Sequence, residues 1–253
     1  MNNKPLLTQP CSVADNGSSS DNGSSSDNGS FSDNSVAETC IAQTCVVVPM
    51  KNPLQSKQRL HPLLSRPQRT DLAITLYRQT LEFFKREFPT LTLLVVTPSG
   101  QIAQMAKDHG HQALLEQKSK GLNRALERAA QWTLLQGFRR QLVIPADIAE
   151  LDRNEICNML SRITTGNGVA IARAKDGGTN ALLCAPANAI PFCFGNNSAH
   201  RHAQLTRLSD LTCEVVDLEK LSADIDVPED LNTSLFADIA FGSKEREGAF
   251  QYA

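Results

Sequence analysis

The chain has 253 residues and a net charge of −2, with a sequence pI near 6.2, which is enough length for one sizeable domain with a substantial core. This balance supplies no basic face for nucleic acid, and no apolar run approaches the roughly 20 residues a bilayer span needs. Seven cysteines (11, 40, 45, 157, 184, 193 and 213) are scattered without a C-x-x-C pair, which argues against a structural zinc site or a disulfide framework. With no charged-then-apolar pattern at the amino terminus, the reading is of a soluble, cytoplasmic protein with neither a membrane nor a nucleic-acid partner.

Residues 1–44 are expected to be a disordered low-complexity arm. Positions 15–35 repeat Asp-Asn-Gly-Ser-Ser-Ser, decaying into Asp33-Asn34-Ser35, and such a composition cannot offset the entropy of ordering. The arm is either a solubilising spacer or a tolerated expansion without a role. From Cys45 the pattern changes. Val46-Val47-Val48-Pro49-Met50 suits a buried strand, and Thr70 is a candidate cap for a helix reaching Phe88, where Pro89 stops it. Leu91–Val96 predicts a second strand, ended by Thr97-Pro98-Ser99-Gly100. A helix from Gln101 to Gly110, a short strand at Ala113–Leu115 and a helix from Leu122 to Gln136 follow. Leu142–Ile144, Val169–Ile171, Ala181–Leu183 and Leu211–Val216 read as further strands. Helices are expected after Asp152, after Ser198 and from about Pro228. The domain is placed at 45–240, with 241–253 as a flexible tail. Strands alternating with helices predict an α/β fold with a mainly parallel sheet covered on both faces. In such sheets ligands bind at the carboxyl ends of the strands, which puts Lys51, Thr97, Asp147 and the later turns on one rim.

Several segments on that rim carry chemistry. The loop after the first strand holds Lys51, Lys57, Arg59, Arg66 and Arg69, and no acid occurs between Val46 and Thr70. It is either an attractor for a nucleotide triphosphate or an ordinary solvated basic loop. No G-x4-G-K-[ST] P-loop is present. Asp147 directly follows a buried strand, where a carboxylate suits Mg²⁺ shared with substrate phosphates; Asp152 is the better helix cap nearby. In extended backbone Asp224 and Asp226 point the same way and converge on a metal, or else the segment to Asp230 is a plain helix start. Two glycine-containing turns, Asp176-Gly177-Gly178-Thr179-Asn180 and Phe194-Gly195-Asn196-Asn197-Ser198, offer hydroxyls and backbone N–H groups to a phosphate or carboxylate. His200 and His202, beside Arg201, stand near that anion site. Asn123 either faces a nucleotide base or caps its helix.

In combination these motifs are distinctive. Val48-Pro49-Met50-Lys51 with Lys57 and Arg59, Pro145-Ala146-Asp147, Gly178-Thr179-Asn180-Ala181-Leu182-Leu183, Phe194-Gly195 to Ser198 with Arg201-His202, and Asp224-Ile225-Asp226-Val227-Pro228 occur in an order that resembles the CofC/FbiD family, guanylyltransferases of coenzyme F(420) biosynthesis. The likeness runs from about residue 45 to 235. It implies a single nucleotidyltransferase-like domain with a mixed, mostly parallel sheet, and GTP, Mg²⁺ and a small phosphorylated carboxylic acid as partners. It further implies Asp147, Asp224 and Asp226 as metal ligands, and Thr179, Gly195 and Ser198 as acid contacts. Lys51, Lys57 and Arg59 become catalytic and nucleotide-phosphate residues, with Asn123 on the nucleotide. The acids implied are 2-phospho-L-lactate, phosphoenolpyruvate and 3-phospho-D-glycerate. Three departures stand out: Ile148-Ala149 where the family commonly has Leu-Pro, Asn196-Asn197 where a proline often follows the glycine, and no glycine-rich opening like that of sugar nucleotidyltransferases. Competing readings are a nucleotidyltransferase for a sugar phosphate or a pterin cofactor, and a non-catalytic nucleotide-binding module.

Overall fold

The computed structural model describes residues 39–232 except Thr165, so most of the expected arm and the whole expected tail lie outside the described residues. Strand β1 (Thr44–Pro49) leads into a loop with two 3-10 turns (Pro53–Gln55 and Gln58–Leu60) and then helix α1 (Arg66–Glu87). There follow β2 (Thr92–Thr97), α2 (Gly100–Asp108), β3 (Gln112–Leu115), α3 (Leu122–Leu135), β4 (Arg140–Val143), α4 (Arg153–Leu160), β5 (Gly168–Arg173), β6 (Thr179–Ala185), α5 (Ser198–Leu208) and β7 (Thr212–Val216). The described residues end in a 3-10 turn, Pro228–Asn232, where the sequence suggested the start of a helix. No helix among them is long and apolar enough to cross a membrane.

The seven strands form one sheet in the order β3-β2-β1-β4-β6-β5-β7. All neighbours are parallel except β4–β6 and β5–β6, because β6 runs against both strands beside it. Side chains alternate across the pleat and separate two cores. Val46, Val48, Leu93, Val95, Leu142 and Leu183 face α1, α2 and α4, where Tyr77, Phe84, Ile102 and Met159 meet them. Cys45, Val47, Leu94, Val96, Val143 and Leu182 face α3 and α5 through Leu126, Ala129, Ala199 and Ala203. The Tyr77 hydroxyl, fully buried, donates to the Ile102 carbonyl at 3.0 Å and ties α1 to α2. Cys40, Cys45, Cys184, Cys193 and Cys213 are free thiols.

Helix α1 starts a full turn before the cap expected at Thr70. Pro67 sits in the first turn, where its missing N–H costs nothing, and the Ser65 N–H donates to the Gln68 side chain at 2.9 Å. Thr70 lies inside the helix, its hydroxyl donating to the Arg66 carbonyl. At the far edge of the sheet β5 approaches β7 so closely that a Cβ on Gly168 would lie 2.6 Å from the Thr212 carbonyl oxygen. Gly168→Ala is therefore expected to destabilise the fold by about 1–3 kcal/mol, the usual cost of overpacking, read as a lower urea midpoint with an unchanged m-value.

Candidate active site

The rim is assembled by strand direction. Parallel β1 and β4 deliver Lys51 and Asp147 at their carboxyl ends, whereas antiparallel β6 begins there, so Thr179 and Asn180 reach the rim from its amino end. Lys51 is exposed. Lys57 is not: it is only 4% exposed, and its ammonium donates to Asp147 Oδ2 at 2.7 Å and to the Ile225 carbonyl. Its backbone lies in the left-handed region at φ 54°, a conformation costing about 1–2 kcal/mol for a residue with a Cβ. The two hydrogen bonds of its side chain hold it there. Arg59 Nη1 donates to Asp226 Oδ2 at 3.0 Å in a largely exposed pair.

The segment carrying the paired aspartates lies antiparallel to the Asp147 loop. Ala149 N–H donates to Ala223 O at 3.0 Å and Ile225 N–H to Asp147 O at 3.1 Å, with Ile148 bridging Asp224. Burial raises the Asp224 carboxyl above its ordinary range, the hydrogen bond from Asn180 at 3.1 Å opposes that, and the negative charge of Asp147 raises it further. Thus Asp147, Asp224 and Asp226 share one rim, each tied to a different partner: Lys57, Asn180 and Arg59. Among the described residues no three His, Cys, Asp or Glu side chains converge tightly enough to cage a metal.

The second half of the rim is built on hydroxyls. Ser198 Oγ donates to Thr179 Oγ1 at 3.1 Å, and His202 Nδ1 lies 3.1 Å from the same oxygen. His202 Nε2 accepts the Cys193 backbone N–H at 3.1 Å. Gly195 adopts φ 126°, a conformation open essentially to glycine, and its carbonyl accepts the Ser198 N–H. The Ala199 N–H is engaged by the Gly177 carbonyl, so the first amide of α5 closes its own turn and the second ties the two turns together. Asn123, at the start of α3, pairs with the backbone of Phe194 in both directions: Phe194 N–H donates to its Oδ1 at 2.8 Å and its Nδ2 donates to Phe194 O at 3.4 Å. Its amide thus clamps the turn at Phe194 and Gly195.

Two residues of the site had no role assigned from sequence alone. Asn180 follows Thr179 in an extended strand, so the two point to opposite faces, one serving Asp224 and the other Ser198. His202 was placed only near an anion; it is fully buried behind the hydroxyls, and the i, i+4 spacing from Ser198 on α5 was the available signal.

Comparison with known proteins points to one family. The family model described as "Guanylyl transferase CofC like" matches residues 44–244. The chain is 46% identical over 189 residues to a 3-phospho-D-glycerate guanylyltransferase of Colwellia psychrerythraea, covering 75% of this chain and 90% of that protein. It is 30% identical over 189 residues to a 2-phospho-L-lactate guanylyltransferase of Methanothermobacter thermautotrophicus, covering 75% and 82%. In fold it resembles the solved structure of a nucleotidyl transferase from Methanothermobacter, with a TM-score of 0.54 at 14% identity, covering 79% of this chain and 98% of that one.

Two stability experiments follow from the geometry. Asp147→Asn leaves the Lys57 ammonium buried with a carbonyl as its remaining anionic-side partner. The expected loss is about 2–3 kcal/mol, below the range for fully enclosed pairs because Asp147 is 35% exposed. Adding Lys57→Met should recover much of it in urea unfolding. The His202 imidazole is pushed from 6.5 down to about 4, first by burial and then by the Arg201 charge. A depressed pKa of this kind contributes stability that is complete above 6.5 and lost as pH falls towards about 4, a loss of about 3 kcal/mol. The urea midpoint should drop across that window in the wild type and drop less in His202→Asn.

Proposed function

The chain belongs to the CofC-like guanylyl transferase family, and on that premise we propose that it joins GMP from GTP to a small phosphorylated carboxylic acid, releasing pyrophosphate, in coenzyme F(420) biosynthesis. The observation that carries this reading is the split rim: a cation-and-carboxylate half around Lys57, Asp147 and Asp224, and a hydroxyl-and-turn half around Thr179, Gly195 and Ser198. The first suits the triphosphate, the second a phospho-acid. We favour 3-phospho-D-glycerate as the acid, because the relative bearing that name shares 46% of aligned residues against 30% for the 2-phospho-L-lactate enzyme.

In the reaction, a phosphate oxygen of the acid attacks the α-phosphorus of GTP. A new P–O–P linkage forms while the bond from the α-phosphorus to the bridging oxygen of the β-phosphate breaks, and pyrophosphate carries that electron pair away. A phosphomonoester with a second pKa near ~6 is already largely dianionic at neutral pH, so no general base is required. The task of the protein is positioning and charge neutralisation. Lys51 and Arg59 would meet the nucleotide phosphates at the mouth of the first loop. Lys57 would balance the carboxylates from beneath. Thr179, Ser198 and the Gly195 turn would orient the acid phosphate.

The donor set fits a hard divalent cation. It is made of carboxylate oxygens alone, and the Asp224 carboxyl, raised first by burial and further by the Asp147 charge, is a group whose ionised form a bound cation would stabilise. Asp147, Asp224 and Asp226 do not converge tightly enough to cage an ion by themselves, so they would hold Mg²⁺ together with the substrate phosphates, whose charge the ion when bound would neutralise. Asn123 keeps its amide on Phe194 and would serve the nucleotide only indirectly, by fixing the distance between the two halves.

Purified protein with GTP, Mg²⁺ and each of the three acids separately should release pyrophosphate, fastest with 3-phospho-D-glycerate, and mass spectrometry should find the guanosine diphosphate-linked acid. Silence with all three from folded protein that binds GTP would reject the reading. Asp226→Asn is expected to lower kcat at least about 100-fold, the scale of losing one charge-stabilising group, while the unfolding free energy from urea titration changes by no more than about 1 kcal/mol.

A further inference from the structure

A neutral imidazole carries one ring N–H, and its neighbours decide which nitrogen holds it. The Cys193 backbone N–H can only donate, and it meets His202 Nε2 at 3.1 Å. Nε2 is therefore the bare nitrogen and the proton resides on Nδ1. Nδ1 stands 3.1 Å from Thr179 Oγ1, so this N–H donates to the threonine oxygen. Ser198 Oγ donates to the same atom at 3.1 Å. A hydroxyl oxygen has two lone pairs and one proton. With both lone pairs engaged, Thr179 has its own proton left to give.

We propose that His202 is a positioning residue which, through this fixed tautomer, holds Thr179 as a hydrogen-bond donor to the phosphate of the acceptor acid; the proposal rests on the function given above. An anion presents only acceptors. A threonine hydroxyl free to rotate would spend part of its time turning lone pairs towards the phosphate, and the imidazole removes that option before the acid arrives. Preorganised donors of this kind cost no reorganisation on binding. The ring itself is well fixed. It is fully buried, it meets the Phe194 ring in a T-shaped contact at a centroid distance of 4.9 Å, and its helix continues without a break into Thr206, whose hydroxyl donates to the His202 carbonyl at 2.7 Å. The same imidazole anchors Cys193, next to the Phe194 peptide that Asn123 clamps, so one side chain sets both the turn and the polarity of the hydroxyl facing it.

Two substitutions separate the two bonds. His202→Gln places an amide where Nε2 stood and retains an acceptor for Cys193, but supplies no donor to Thr179. His202→Asn places an amide N–H near Nδ1 and retains the donor. In steady-state kinetics, H202Q should raise the KM for the acid by roughly 10-fold or more, the scale of one hydrogen bond to a charged group, while the KM for GTP stays within about 2-fold. H202N should recover part of that loss. A ¹⁵N spectrum of the wild-type protein should show His202 protonated on Nδ1 and bare on Nε2, a readout independent of whether either variant folds. A proton on Nε2 would overturn the proposal, as would folded variants whose acid KM is unchanged or whose two KM values rise together. Wild-type protein inactive with every acid would overturn the function and this proposal with it; active wild type with an unaffected H202Q would overturn the positioning role alone.

Discussion

The ammonium of Lys57 is the point on which the rim depends. It is withdrawn from water between Asp147 and the Ile225 carbonyl, and removing such a charge from water costs several kcal/mol unless its partners are well placed. Those partners come from stretches 90 and 168 residues away, so a single side chain fixes the basic loop, the loop after β4 and the aspartate segment against one another. Beneath the charge lies an apolar plug in which Ile225 packs with Leu60, Leu64, Leu72 and Leu76. Asp224 and Asp226 flank a residue that is held by its backbone from one side and by its side chain from the other. Their carboxylates are presented to the rim because Ile225 has no freedom to leave it.

The reversed direction of β6 does comparable work on the other half. Two consecutive residues, Thr179 and Asn180, enter the rim and divide: Thr179 meets Ser198 and His202, while Asn180 supports Asp224. Alternation across a pleated strand therefore couples the carboxylate half and the hydroxyl half through adjacent residues of one rigid element. Asn123 makes a second link, from the amino end of α3 to the Phe194 peptide. Both links restrict the distance between the two halves of the rim, the kind of fixed geometry that lowers the entropic cost of bringing two bound groups together.

Much of this was legible in the residues. The apolar runs at Val46–Val48, Leu93–Val96 and Val169–Ile171 are fully or almost fully buried strands, as three- and four-residue apolar blocks rich in β-branched residues between turn signals imply. Their alternation with helices required a sheet covered on two sides. The start of α1 was misplaced because Thr70 has the chemistry of a cap, whereas Ser65 with Gln68, ahead of Pro67, has both the chemistry and the position. Asn123 was legible as a polar residue opening a helix, but its partner is a peptide 71 residues away, and nothing local records that distance.

Order and type of elements, the rim and the set of chemically able residues were determined by the sequence, because period-2 and period-3.6 burial and strand-end loops are local properties. Which of those residues meet was decided only by tertiary structure. Lys57 and Arg59 look alike in a basic loop, yet one is buried under Asp147 and the other reaches Asp226 at the surface. His200 and His202 look alike beside Arg201, yet one is exposed and the other is sealed behind Thr179. The difference arises from partners brought from distant segments, since the cost of burying a polar group is met by hydrogen bonds that no window of sequence contains.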